Sequence, residues 1–540
     1  GIPLVLMSVF LPAAFMPGLT GQMYQQFALV IAATALISAI NALTLKPTQC
    51  ALWLRPPTPP EQRNFIYRGF NRIYDACERW YAGVIHHMVK ASHVMVVIAL
   101  GLIALAFWGM SRLPTAFIPI EDQGYMVVNV QLPDGASLER TNKVLDDVQK
   151  VVASVPGVDQ VFTISGISIL ENNASVPSAG AAYVVLKDWA EREDHPEQGL
   201  LGIYTGLSKA LEENILEAST VVIPPPPIQG IGNAGGFSFV VQLRDGSGDF
   251  EKLQNVTDDI VDKAKSQSAV STAFSSFRAS VPQFHIDINR TKAETLGVTV
   301  GQVFQALENY IGSTYVGQFS RFGQVFQIYA QAEGAYRQTV EAVKRLKVKA
   351  QNGEMVPLGT LVDIRPVEGP SVVSLYNLYP AATITGMQSA AFSSGQVMAL
   401  MEDIARETLP AGMGYEWTGM SYQEKIVGDQ IYYVFGLAVL LVYFVLAGQY
   451  ESWIQPLSVI LAVPLALLGT VGALGALGVA NNLYTQIGLI LLIALSSKNA
   501  ILIVEYAREK RAEGMEIVDA AVEAARRRFR PILMTSFAFI

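Results

Sequence analysis

Lys498 lies near the middle of the apolar run 485–507, and no Asp or Glu inside any other apolar run of the chain is placed to neutralise it. On a helix rising about 1.5 Å per residue, it sits about 14 Å from the Ala507 end and about 20 Å from the Thr485 end. A lysine side chain reaches about 6 Å, too little to bring its ammonium to an interface. A charge held at that depth costs about 3 kcal/mol on insertion scales, so it needs a partner and usually has a function. Glu505 shares a similar helical face but stands two turns away, about 10 Å. The chemistry expected of Lys498 is therefore an ion pair with a carboxylate supplied from outside this chain, and the plain structural alternative is a pin between helices.

The elements that must hold such a group are membrane helices. The chain has 540 residues, 51% hydrophobic and 16% charged, with a mean hydropathy of +0.33, which describes a membrane protein carrying much soluble mass. Apolar runs at 2–19, 27–45, 94–110, 430–447, 454–480, 485–507 and 529–540 suit a bilayer core of about 30 Å. Both ends of the chain fall inside apolar stretches, so the sequence reads as an excerpt. Arg55, Arg63, Arg68, Arg72, Arg79 and Lys90 in the connection 54–92, and seven basic residues in 508–530, predict that both connections face the cytoplasm. The first also interleaves Phe65, Tyr67, Phe70, Trp80 and Tyr81 with its arginines, as a helix lying in the membrane interface would, or as a mere connector could.

This orientation puts residues 113–429 outside the cytoplasm. Their pattern is α+β, with strands expected at 125–132, 158–164 and 181–186 and helices at 137–154 and 200–215. A similar order returns with a strand at 237–243, a helix at 250–266, strands at 284–288, 372–378 and 381–386, and a helix at 394–408. These read as two split βαβ units, the second interrupted by an insertion. Pro224 to Pro227 predict a stiff segment, and the glycines of 230–236 a flexible one, together a hinge.

Other chemistries find little footing. The net charge of −8 and the lack of a basic stripe argue against nucleic acid. Cys50 and Cys77 fall in or beside the first membrane region, so 113–429 has no disulfide framework. An enzyme would show a nucleophile motif, a phosphate loop or clustered histidines, whereas His195 and His285 are far apart in sequence.

The run Ala494-Leu495-Ser496-Ser497-Lys498-Asn499-Ala500-Ile501 and the run Arg528-Phe529-Arg530-Pro531-Ile532-Leu533-Met534-Thr535-Ser536 resemble the tenth and eleventh membrane helices of resistance-nodulation-division (RND) transporters. Glu416-Trp417-Thr418-Gly419-Met420-Ser421-Tyr422-Gln423-Glu424 is similar to the segment that re-enters the membrane in that family's hydrophobe/amphiphile drug-efflux branch. The resemblance covers essentially the whole chain, as the C-terminal half of such a pump. It implies an α-helical transmembrane bundle with a large α+β periplasmic region made of ferredoxin-like porter subdomains and a docking subdomain. The boundaries it implies are two membrane helices in 1–53, a cytoplasmic amphipathic connector at 54–92, a membrane helix at 93–112 and the periplasmic region at 113–429. Within the latter, porter parts fall at 121–233 and at 234–280 plus 371–412, with docking at 281–370. Residues 430–540 would be membrane helices, the last truncated.

The same resemblance implies a Gram-negative inner-membrane homotrimer that joins a periplasmic adaptor and an outer-membrane channel. It would export drugs on the proton motive force, with no cofactor or metal. Lys498, Arg528 and Thr535 match the family's relay residues, whose acidic partners would lie upstream of Gly1. Arg528 read alone is an orientation signal, and Thr535 alone a hydroxyl bonded to its own helix. Phe162, Ile167, Ile169, Tyr183, Val221, Ile223 and Gln229 match positions of the deep drug pocket, with Ile167 and Ile169 on a flexible switch loop at 166–180. Isoleucine where relatives often have phenylalanine trims ring stacking, and Lys46 departs from the family without an assigned role. A metal-exporting relative would place methionine pairs in the cleft to suit Cu(I). Met126, Met387, Met398 and Met401 are dispersed instead, the last two reading as core.

Overall fold

The computed structural model describes residues 2–15, 18–54, 65–232 and 234–539. The expectations for Arg55, Arg63 and Asn233 lie outside them. Among the described residues, five helices are long and apolar enough to cross a membrane: Gly21–Trp53, Ser92–Arg112, Tyr433–Tyr450, Gln455–Leu477 and Leu483–Ala512. Two expected spans differ. The run 2–19 is divided, because the helix Ile2–Ala14 ends before Gly18, which opens the next helix at φ +79°. The run 454–480 breaks after Ile460 and resumes at Val463, with Pro464 in the new first turn, where its missing N–H costs nothing.

The basic stretch 508–530 is not a loop. Leu483–Ala512 runs on through Arg508 and Lys510, and the chain turns at Gly514 (φ +96°) into the helix Ile517–Phe539. Ala, Glu and Arg fill the turn-side ends of both helices, and these are strong helix formers. The connector forms the helix Phe65–Lys90, which lies on this last helix. Tyr81 stacks on Phe529 at 4.6 Å between ring centroids, and Arg526 Nε donates to Glu78 at 2.9 Å.

The α/β region begins with a four-stranded antiparallel sheet of β1 (Tyr125–Gln131), β2 (Val158–Ser168), β3 (Ala174–Leu186) and β4 (Ser219–Ile223), in the order β2-β3-β1-β4. Helices Leu138–Ala153 and Leu200–Asn214 cover one face, where Met126, Val128, Val130, Ala182 and Val184 are buried. The second sheet repeats this order. β5 (Phe237–Leu243) lies between the strands Tyr379–Gln388 and Met413–Trp417, and β6 (Val270–Ser275) pairs with the far side of Tyr379–Gln388. Met398 and Met401 sit in its core. Here the reading of 284–288 as the repeat's second strand is corrected. That segment belongs to Val281–Ile288, which pairs with Val362–Gly369 in the insertion, and the short polar β6 takes the sheet position.

The α/β region is stitched to the membrane helices by backbone. Ala116 N–H donates to the Asn481 carbonyl at 3.1 Å, Asn481 N–H to that of Pro114 at 2.8 Å, and Leu483 N–H to that of Phe117 at 2.9 Å. The segment entering the α/β region therefore adjoins the start of the helix that carries Lys498.

Candidate functional site

The Lys498 helix starts where the Asn482 side chain accepts the Thr485 N–H at 3.0 Å, which satisfies one orphan donor of the first turn. Its buried stripe includes Ile490, Ile493, Ala494 and Ile501, packed in one cluster with Val5, Val9, Phe10 and Ala13 of the first helix. Lys498 follows the fully buried Ser497 and is itself half-buried. Among the described residues it makes no hydrogen bond or ion pair. Glu505 accepts from Gln449 Nε2 at 3.0 Å.

Arg528 lies over the Tyr506 ring at 5.3 Å, and its Nε is buried without a hydrogen-bond partner among the described residues. Thr535 Oγ1 donates to the Ile532 carbonyl at 2.9 Å, an ordinary intrahelical bond. The two helices run antiparallel from a tight turn and pack together. The hairpin packs the Lys498 helix against the helix that carries Arg528 and Thr535, and among the described residues no hydrogen bond joins the three side chains.

The second group of residues lies on the face of the first sheet turned away from its helices. Antiparallel register sets Phe162 opposite Tyr183, Tyr183 opposite Val127, and Val127 opposite Ile223, so these four form one row across all four strands. The next row is Ile164, Ala181, Asn129 and Val221. Directly opposed residues share a face, so Phe162, Tyr183, Val221 and Ile223 are brought together. Phe162 is 56% exposed and thus not core, while Ile223 is buried. Ile169 packs on Val127 and Ala181. Ile167 is half-buried in the hairpin, opposite Ser175. Gln229 is exposed in a segment whose neighbour Ile228 packs near Phe117 and Met420, and it has no place in the two rows of the sheet face.

The loop expected at 166–180 is corrected to the end of a β-hairpin. β2 continues to Ser168 past a bulge at which Gly166 takes φ +76°, and β3 starts at Ala174. Asn172 and Asn173 turn the chain with φ of 52° and 60°, the left-handed region that Asn tolerates. Glu171, at the tip, accepts from Ser276 Oγ at 2.5 Å and Ser374 Oγ at 3.2 Å, bridging to the second α/β unit.

Sequence reading missed Asn129 and Val127 in the sheet face, although strict alternation along β1 carried the signal. It also missed Tyr506, for which a lone tyrosine at a helix end gives none. Outside the membrane helices, burial pushes the Glu424 carboxyl up to about 7, while the Ser394 hydroxyl, donating at 2.8 Å, pulls the other way.

Residues 1–540 match the model of the AcrB/AcrD/AcrF family over their whole length. The chain is 36% identical over 551 residues to the multidrug/solvent efflux pump membrane transporter MepB of Pseudomonas putida, covering 100% of this chain and 51% of that protein. It is 35% identical over 549 residues to the multidrug export protein AcrF of Escherichia coli K12, with 100% and 52% covered. Multidrug resistance protein MdtF of the same strain is 34% identical over 545 residues, with 100% and 52% covered. The chain spans about half the length of these curated relatives. By the full-length family match and these identities, the chain belongs to the AcrB/AcrD/AcrF family.

Proposed function

We propose that the protein is an inner-membrane, proton-driven exporter of hydrophobic and amphiphilic compounds. The observation that carries this reading is Lys498, half-buried in mid-span with no carboxylate partner among the described residues, on a helix packed against the one that carries Arg528 and Thr535. A carboxylate brought against that ammonium makes a pair whose net charge changes by one on protonation, and helix packing responds to such a change. One proton moving down about 150 mV supplies about 3.5 kcal/mol, enough for a gradient of a few hundredfold. Lys498, Arg528 and Thr535 are the proposed relay.

The face of the first sheet turned away from its helices is the proposed drug surface, through Phe162, Ile167, Ile169, Tyr183, Val221 and Ile223. Gln229 would contribute at an entrance rather than on that face. In this reading 113–429 is periplasmic, with porter parts at 121–233 and at 234–280 plus 371–412 and a docking part at 281–370. The matching strand order of the two sheets supports the porter division. The working unit is a homotrimer joined to a periplasmic adaptor and an outer-membrane channel, and the helix Phe65–Lys90 lies at the cytoplasmic interface.

The test is Lys498→Ala made at the native locus, read as ethidium efflux in cells. Normal protein level and assembly with efflux lost is the expected result. Normal efflux at normal level removes the relay role.

A further inference from the structure

We infer that Asn129 is the polar specificity element of the sheet face, a hydrogen-bonding site for amide, carbonyl or hydroxyl groups of the transported compound. The inference rests on the drug surface proposed above and names what that surface selects.

Asn129 sits on the central part of β1, flanked by Ala181 on β3 and Val221 on β4. Its side chain shares the face of Tyr183, Val127 and Ile223, since residues two apart on a strand point the same way. It is 1% exposed, and both its Oδ1 and its Nδ2 are buried without a hydrogen-bond partner among the described residues. A buried primary amide left unpaired is rare in folded proteins and calls for an explanation. Packing does not supply one, because its cross-strand neighbours Ala181 and Val221 are apolar and a valine or leucine would fill the place without a desolvation cost. Gln131, the next residue on the same face, shows the contrast: its Nε2 donates to Ser178 Oγ at 3.2 Å.

The part of the sheet face around Asn129 is covered. Ile169, from the hairpin, covers Val127 and Ala181. Leu170 together with Thr272, Phe274 and Met387 of the second unit lines a cleft at the Val221–Ile223 edge. Ser168 Oγ, at the turn end of β2, is a second buried polar atom without a partner among the described residues. When the hairpin and the second unit part, Asn129 offers one donor pair and one acceptor in the middle of an apolar floor. Aromatic and aliphatic neighbours hold the apolar body of a ligand, and a few placed polar groups fix its identity. A compound with a hydrogen-bonding group gains from Asn129, and a pure hydrocarbon does not.

The test compares two probes, chloramphenicol, which carries an amide and hydroxyls, and toluene, which carries no hydrogen-bonding group. Asn129→Leu and Asn129→Thr are made at the native locus, and efflux-dependent resistance to each probe is measured with protein level and assembly as controls. The expected result for Asn129→Leu is a loss of about three- to tenfold toward chloramphenicol, the size of one to two neutral hydrogen bonds, with toluene unchanged. Asn129→Thr, which keeps a hydroxyl, retains most chloramphenicol resistance. An equal loss toward both probes in both variants shows a structural residue and overturns the proposal, as does no change toward either. If the unsubstituted protein confers resistance to neither probe, the drug-export reading fails first, and this proposal falls with it.

Discussion

The guanidinium of Arg528 lies 5.3 Å from the centre of the Tyr506 ring, across the pair of helices that carries Lys498. This contact joins the helix that carries Lys498 to the one that carries Thr535. A cation over an aromatic face contributes about 0.5 to 2 kcal/mol, more where water is excluded. Tyr506→Phe keeps the ring and is expected to leave thermal stability in detergent nearly unchanged. Tyr506→Leu is expected to lower it by about 1 kcal/mol and to reduce ethidium efflux. Equal behaviour of the two variants would show that the ring face is not what positions Arg528.

Asp122 and Arg192 tie the loop before β1 to the short helix Trp189–Arg192. Arg192 Nη1 donates to Asp122 Oδ2 at 2.8 Å, and Arg192 also donates to the carbonyls of Lys187 and Gln198. Burial alone raises the Asp122 carboxyl, but the hydrogen bonds from Arg192 and the Gly124 N–H, with the arginine charge, hold it below the usual range. A carboxyl lowered on folding adds stability above its unfolded pKa and loses it as pH falls through the folded one. Asp122→Asn leaves a nearly buried guanidinium without its counter-charge. The expected cost is about 2 to 3 kcal/mol at pH 7, below the about 3 to 5 of a fully buried pair because Asp122 is partly exposed. The difference from the parent should shrink below pH 4, and a difference that stays constant with pH would refute the ion-pair account.

How far the sequence carried these conclusions differs by site. A lysine in an apolar run is visible one residue at a time, so Lys498 stood out without any fold. The strands with strong alternation, such as β1 and β5, were legible for the same reason. β6 reads Val-Ser-Thr-Ala-Phe-Ser, too polar to outweigh the clearer pattern at 284–288, and only the sheet's own pairing selects it. The residues of 166–180 have low strand propensity, yet cross-strand hydrogen bonds overrode that bias and made a hairpin. The row of Phe162, Tyr183, Val127 and Ile223 was out of reach in principle, because register between strands distant in sequence is a tertiary property.

Glu424 stands near the start of the helix Gly419–Tyr450, outside its apolar span, and accepts from Ser394 at the start of the helix Ser394–Thr408. Burial pushes its carboxyl up to about 7. A carboxyl raised on folding holds its proton better when folded, so stability falls as pH rises from about 4.5 to about 7 and is level above. Glu424→Gln keeps an acceptor for Ser394 without the charge. Its thermal midpoint relative to the parent should therefore rise between pH 5 and pH 8. A constant offset over that range would show that the carboxyl does not titrate there.

Glu171 joins the two α/β units through a single side chain. The oxygens of its carboxylate accept from Ser276 on one side and Ser374 on the other, at 2.5 and 3.2 Å. Both serines lie in the second unit, next to β6 and in the strand Ser374–Tyr376, so any separation of the units must break these bonds before the sheet face opens. Hydrogen bonds to a charged acceptor contribute about 1.5 to 3 kcal/mol each when buried, less at a partly wet site. Glu171→Gln keeps the shape and weakens both bonds, and Glu171→Ala removes them. Amide exchange across 165–178 should accelerate by about tenfold in the alanine variant and by less in the glutamine one, with exchange in the helix Leu138–Ala153 unchanged. Faster exchange throughout the first unit would mean that the residue supports the fold of that unit. Unchanged exchange at the hairpin would mean that the two serine contacts do not hold it closed.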